Sequence, residues 1–217
     1  MIQVLIEYHN LLLEGFSVTL KLLGSIILIG VPLGTLLGVI GNRYVSEVGN
    51  IIKIGRFFTK VIPVLVLLFW LHYPLQGLLG IVINPFWTTV IALGFINTIA
   101  TAHLVTAELE LLPKSYREAG ITLGMSKNQI IRKIELPILS RRILPQLLLN
   151  QAAMLEYTLF ASLISVQELF RTAQTINAMV YKPVEIYSIL VFFFFLILTP
   201  FHLFVSKLQK KYFTEYA

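Results

Sequence analysis

Apolar residues run through this chain in long blocks separated by short basic segments. Five blocks reach the roughly 20 residues that a helix needs to cross about 30 Å of hydrocarbon. They cover 16–40, where Lys21 is the lone charge, 61–83, 86–107, 143–166, where Glu156 is the lone charge, and 186–206. Val61 to Ala107 holds no Lys, Arg, Asp or Glu and is long enough for two spans joined at Asn84-Pro85. Pro74, Gly77 and Gly80 are placed to end the first of these two early. The pattern predicts an all-α, polytopic membrane protein with five transmembrane helices, forming one membrane-spanning domain over 1–217.

Composition strengthens that picture. Of the 217 residues, 57% are apolar and 13% charged, against about 25% charged in a soluble domain; the mean hydropathy is +0.82. The chain has no Cys, which excludes disulfides, thiolate metal sites and thiol nucleophiles. Its 4 His residues stand without an H-E-x-x-H spacing, so no metal site and no catalytic residue is assigned. Residues 1–15 contain two Glu and no base, so they lack the positive flank of a signal peptide and are expected to stay on the mature chain.

The net charge of +6 acquires meaning from its placement. Arg43, Lys53, Arg56 and Lys60 follow the first block. Lys114, Arg117, Lys127, Arg132, Lys133, Arg141 and Arg142 lie between the third and fourth, and Lys207, Lys210 and Lys211 end the chain. Only Arg171 and Lys182 fall on the opposite side, and Lys21 is expected to snorkel from the outer end of the first span. Positive residues mark the cytoplasmic side, so the N-terminus is placed outside and the C-terminus inside. Bases scattered between apolar blocks do not form a groove-reading face, and nucleic acid is not a predicted partner.

The longest cytoplasmic segment carries the most specific pattern. Pro113 suits the first turn of a helix and Gly124 its C-terminal stop. Ser126 with Gln129 forms a capping-box pattern for a second short helix, expected to end near Pro137. Tyr116, Ala119, Gly120 and Leu123 share one face of the first helix, notched by its small residues. Two placements are open on physical grounds: a groove of a partner protein or the lipid headgroups.

Glu118-Ala119-Gly120, then Gly124, then Ile134-Glu135-Leu136-Pro137 after nine residues, closely resembles the EAA loop of bacterial ABC importer permeases. Gly120 replaces the family's second Ala, keeping the notch small but loosening the helix by about 1 kcal/mol. From Gly15 to Lys211 the resemblance extends to the polar amino-acid permeases, carried by Arg141-Arg142-Ile143-Leu144-Pro145, Asn150, Leu159, Ser162, Glu168-Leu169, Ala173-Gln174 and Glu185-Ile186-Tyr187. The resemblance implies a multi-pass subunit of the bacterial cytoplasmic membrane. It pairs with a second permease copy, identical or related, and receives substrate from an extracytoplasmic binding protein. Its cytoplasmic helix pair would dock a cytoplasmic ATPase dimer through Glu118, Ala119, Gly120, Gly124, Ile134, Leu136 and Pro137. The coupling loop spans 112–137. The chain has no G-x-x-x-x-G-K-[ST] loop, so no cofactor is assigned to it, and ATP with Mg is expected in the partner.

Polar side chains at membrane depth indicate where a solute passes. Gln146, Asn150, Gln151, Tyr157, Thr158, Ser162 and Ser165 occupy an arc of roughly 160° at about 100° per residue. That stripe fits either a pathway wall or hydrogen bonding between packed helices. Glu156 lies outside the arc, as a contact for a substrate amine, a partner for His103 or His72, or a protonated core group. Asn97, Thr98 and Thr101 share a face of the third span, with His103 where the resembled family has Glu and Thr106 where it has Arg. The candidate pathway set is therefore Asn97, Thr101, His103, Asn150, Glu156, Thr158 and Ser162. Further departures at Lys60-Val61-Ile62-Pro63, at Leu67 and at Glu156-Tyr157-Thr158-Leu159-Phe160 bear on the ligand and leave the coupling loop untouched. The alternatives are an ATP-driven importer of another small solute, an ion-coupled transporter relaying protons through Glu156 and His103, and a headgroup-binding membrane scaffold.

Overall fold

The computed structural model describes residues 2–213. Helix α1 (Ile2–Arg43) is 42 residues long, about 63 Å at 1.5 Å per residue, roughly twice the hydrocarbon thickness. It starts well before the expected boundary at Phe16. Val4, Tyr8 and Leu12 recur at helical spacing and pack with Phe16 against Leu169, Ala173, Ile176, Ile186 and Leu190. This N-terminal part of α1 is held by helices α9 (Leu169–Val180) and α10 (Pro183–Phe213), and Lys21 stands exposed midway along α1 rather than at its end.

The second span is the main departure from expectation. Residues 48–61, read as a basic connection, form the amphipathic helix α2 (Val48–Val61), which buries Gly49 and Ile52. At Ile62-Pro63 the chain turns: Ile62 is extended (ψ 119), the conformation forced on a residue preceding proline. Helices α3 (Val64–His72) and α4 (Pro74–Leu79) follow, bent by 98° from α2. As expected, Pro74 and Gly80 curtail the span; Gly80 stops α4 at φ 64. The broken span is sealed by Gln76, whose amide donates to Thr88 Oγ1 (3.1 Å) and accepts from Ile83 N–H (2.7 Å).

Helix α5 (Pro85–Glu110), with Asn84 capping Phe86 N–H, lies along α1. Helices α6 (Lys114–Thr122) and α7 (Lys127–Ile130) form a short pair, and α8 (Leu136–Thr158) returns through the bundle, ending in a 3-10 stretch at Leu159–Ile164. Among the described residues, four helical segments are long and apolar enough to span a membrane, or five if the bent α2 to α4 unit is one span. Ile26, Leu93, Ile96 and Met154 form the central core where α1, α5 and α8 meet.

A row absent from the sequence-level expectations closes the α1–α5 seam. Cβ atoms placed on Gly30, Gly34 and Gly38 would stand 2.7, 2.6 and 2.7 Å from Asn97 Cβ, Thr98 O and Ala102 O, so only glycine permits this approach. The four-residue spacing is the small-xxx-small pattern of membrane helix pairs, and it was legible in the sequence.

Candidate functional site

The α6–α7 pair is built by local capping. Ser126 Oγ accepts from Gln129 N–H (3.4 Å), and Gln129 Oε1 accepts from Ser126 N–H (2.8 Å), completing the expected capping box. Gly124 (φ 69) turns the chain between α6 and α7. Pro113 caps α6 from just outside, with Lys114 as the first helical residue.

The second short helix does not stop near Pro137. Residues Ile131–Glu135 widen into a π turn, in which Leu136 N–H bonds to Ile131 O. A five-residue register relieves the clash that a proline ring makes with the carbonyl four residues earlier. Pro137 therefore sits in the first turn of α8, and Lys127 to Ile164 is one continuous helical segment of 38 residues. The second short helix and the fourth span are thus one rod. Arg117 binds Glu135 (2.8 Å), fastening α6 to the π turn, and Arg142 binds Glu108 (2.8 Å), fastening α8 to α5.

The notch of α6 faces inward, which corrects the expectation of a free small face. Gly120 is buried, and a Cβ there would lie 2.8 Å from Ile130 Cγ1 and 3.4 Å from Ile134 Cδ1. It lets α6 lie against α7 and the π turn. A Phe at Gly120 would therefore break the pair from within rather than fill a partner's groove. Glu118, Ala119, Gly124 and Leu136 are exposed, while Ile134 and Pro137 are half-buried. The most exposed apolar side chains at the end of α6 are Ile121 and Leu123, 61% and 78% exposed, and Leu136 is exposed beyond them.

At membrane depth the polar stripe divides in two. Asn97, fully buried, has its amide satisfied on both sides: Nδ2 donates to Gln151 Oε1 (3.0 Å) and Ile26 O (3.4 Å), while Oδ1 accepts from Asn150 (2.8 Å) and Gln151 (3.2 Å). This network ties α1, α5 and α8. Thr158 and Ser162 are buried and donate to their own backbone, at Leu155 O (2.6 Å) and Leu159 O (2.7 Å). Thr101 is buried against Gly34 and its hydroxyl meets no acceptor among the described residues. The Thr106 hydroxyl lies within donating distance of Ala102 O in its own helix (2.9 Å) and of Gly38 O across the seam (3.1 Å). These residues are packing groups in the single chain.

The other part of the stripe lines a cavity of about 420 Å³ between α2, α5 and α8, where Gln146, Asn150 and Tyr157 face Arg56, Lys60 and His103. Arg56 Nη1 approaches His103 Nδ1 at 3.2 Å. The sequence showed the polar residues of α8 but not those of α2, which reach the cavity only because the chain bends by 98° at Pro63. Glu156 points elsewhere: it is exposed on α8 and meets neither His103 nor His72. His72 instead approaches Thr88 Oγ1 (3.3 Å) and Gln76 Nε2 (3.2 Å).

Between α8 and α10, outside the long spans, Glu168 is fully buried and caps α9 by accepting from Phe170 N–H (2.8 Å) and Arg171 N–H (2.7 Å). Burial pushes its carboxyl up to about 7, opposed in part by the two amide donors. Because the folded carboxyl holds its proton more tightly than an unfolded one, folding is favoured below the ordinary carboxylate pKa. That advantage is lost as pH rises through 7, at a cost of up to about 3 kcal/mol. Thermal melts of the solubilised protein should show falling stability from pH 5 to 8. Glu168→Gln should flatten that slope and melt higher than wild type at pH 8. Parallel melting curves for the two proteins would refute this account of Glu168.

Known proteins agree with this architecture. The chain is 26% identical over 194 residues, 87% of each chain, to the arginine transport system permease protein ArtQ of Bacillus subtilis (strain 168). It is 25% identical over 207 residues, 92% of each, to the glutamate/aspartate import permease protein GltK of Escherichia coli O157:H7. A chain of an amino acid ABC transporter crystallised with histidines shares the fold, with a TM-score of 0.84 at 24% identity over 95% of this chain and 96% of that one. These likenesses favour an ABC permease over an ion-coupled carrier. The family model for the inner membrane component of binding-protein-dependent transport systems matches residues 30–214, and the chain belongs to that family.

Proposed function

We propose that this chain forms half of the translocation pathway of an ATP-driven amino-acid importer. It is paired with a second permease copy, supplied by an extracytoplasmic binding protein and driven by a cytoplasmic ATPase dimer in which ATP and Mg are held. The observation that carries this reading is the continuous Lys127 to Ile164 segment. One end of it belongs to the exposed cytoplasmic pair, and its middle supplies Gln146, Asn150 and Tyr157 to the cavity. Movement of α6, clamped to the π turn through Arg117 and Glu135, is passed to α8 without an intervening loop. The α5 helix follows through Arg142 and Glu108. Glu118, Ala119, Gly124 and Leu136 would lie at the docking surface beside Ile121 and Leu123, with Gly120, Ile134 and Pro137 shaping the pair from inside.

In this reading Asn97, Thr101, Thr158 and Ser162 hold the bundle together, whereas His103 and Asn150 border the solute. Exposed Glu156 is left for the second permease or the aqueous path between the two. The basic segments keep the cytoplasmic pair, α2 and the C-terminus inside and the N-terminus outside. The test is ATP hydrolysis by the purified permease–ATPase complex in liposomes, with the binding protein and a panel of amino acids added outside. Hydrolysis should rise several-fold with at least one amino acid. A chain that forms no complex, or a complex that no amino acid stimulates, would remove this function.

A further inference from the structure

The cavity between α2, α5 and α8 has a one-sided charge. Of its lining residues, Arg56 and Lys60 are cationic and none is a carboxylate. Neither base forms an ion pair among the described residues. Glu108 is held by Arg142 at 2.8 Å and Glu156 is exposed on α8; Glu110 lines the adjoining cavity, together with Lys53, Arg56, Lys60 and His103, and not this one. Arg56 is instead steered by a neutral group. Its Nη1 lies 3.2 Å from His103 Nδ1, and since a guanidinium only donates, that nitrogen accepts and the imidazole carries its proton on Nε2. The contact orients Arg56 without cancelling its charge.

Half-buried Arg56 and exposed Lys60 border a cleft walled by Ile96, Ile99, Leu104 and Met154, and an anion beside those apolar walls is attracted more strongly than in open water. The volume of about 420 Å³ accommodates a small solute. The cleft is also lined by Gln146, Asn150 and Tyr157, side chains whose amide and phenol oxygens can accept from an ammonium group. The arrangement has two positive points for two carboxylates and neutral acceptors for one amine.

We infer that this cleft selects an amino acid bearing a side-chain carboxylate, with Arg56 and Lys60 as its specificity-determining residues and His103 as the group that positions Arg56. The inference rests on the transport function proposed above and adds the charge class of the substrate.

Binding of radiolabelled L-glutamate, L-aspartate, L-glutamine and L-arginine to the permease–ATPase complex, in zwitterionic lipid and without the binding protein, tests it. One of the two acidic amino acids should bind at least tenfold more tightly than L-arginine. Arg56→Gln should weaken acidic binding tenfold or more, with L-glutamine affected much less. Arg56→Lys, which keeps the charge, should restore most of the preference. If Arg56→Gln does not assemble, Lys60→Gln reads the same selectivity. L-arginine bound as tightly as the acids, or acid binding unchanged in Arg56→Gln and Lys60→Gln, overturns the charge assignment while leaving an amino-acid importer in place. An assembled complex that neither binds nor responds to any amino acid overturns the transport function as well.

Discussion

Leu123→Asp should leave the chain inserted in the membrane and strip it of its ATPase. Leu123 and Ile121 are 78% and 61% exposed at the end of α6, and nothing among the described residues covers these two large apolar side chains. Covering a leucine contributes about 2 kcal/mol, and burying an unpaired carboxylate in its place costs at least as much again. A combined loss of about 4 kcal/mol lowers affinity roughly 1,000-fold, enough to abolish co-purification. The replacement lies on the outer face of α6, away from the Gly120 contact with Ile130 and Ile134, so yield and melting temperature should stay near wild type. Recovery of the ATPase in wild-type amounts with Leu123→Asp would place the docking surface elsewhere.

Gly34→Leu should instead destroy the fold of the bundle. A Cβ on Gly34 would stand 2.6 Å from both Thr98 O and Thr101 Cβ, and the carbonyl belongs to a helix that cannot yield locally. Overpacking a tight contact costs about 1–3 kcal/mol when side chains can shift; a clash with backbone exceeds that range. For a chain of this size each 1 kcal/mol moves the melting temperature by about 2–4 °C, so a drop of about 10 °C or outright loss of the monodisperse protein is expected. Gly24→Leu is the matched control: no heavy atom lies within 4 Å of a Cβ there, so its effect should stay within about 0.5 kcal/mol. Equal melting temperatures for the two variants would mean that the seam is looser than the geometry states.

What was legible in the sequence follows from what the bilayer enforces. Spans must be continuous and apolar, so α1, α5, α8 and α10 were visible as blocks, and the basic connections gave an orientation. Capping is equally local, which is why Ser126, Gln129 and Gly124 announced the turn between α6 and α7. The glycine row of α1 was also present, as a four-residue repeat, but a block read only for hydropathy conceals it.

Other features depended on contacts distant in sequence. Asn97 stood out as a polar residue in a span, yet its four hydrogen bonds reach α1 and α8, and spacing within α5 cannot name those partners. Gly120 was recognisable as small, but whether it met a partner protein or its own neighbour depended on how α6 folds back. Pro137 suggested a helix end; the π turn that absorbs it has no sequence signature of comparable strength. Lys53, Arg56 and Lys60 were counted as markers of the cytoplasmic side, and only the bend at Pro63 turns Arg56 and Lys60 into cavity walls.

Nucleotide binding at the docked ATPase should move α6 together with the Lys127 to Ile164 rod and change which side of the membrane the cavity faces. Because the chain contains no Cys, a single cysteine at Ala153, which lines that cavity, reports accessibility cleanly. In proteoliposomes holding the Ala153→Cys complex, a membrane-impermeant maleimide should label the site from the cytoplasmic side without nucleotide. With ATP trapped in the ATPase, labelling should switch to the opposite side. Labelling from one side only, unchanged by ATP, would contradict the account.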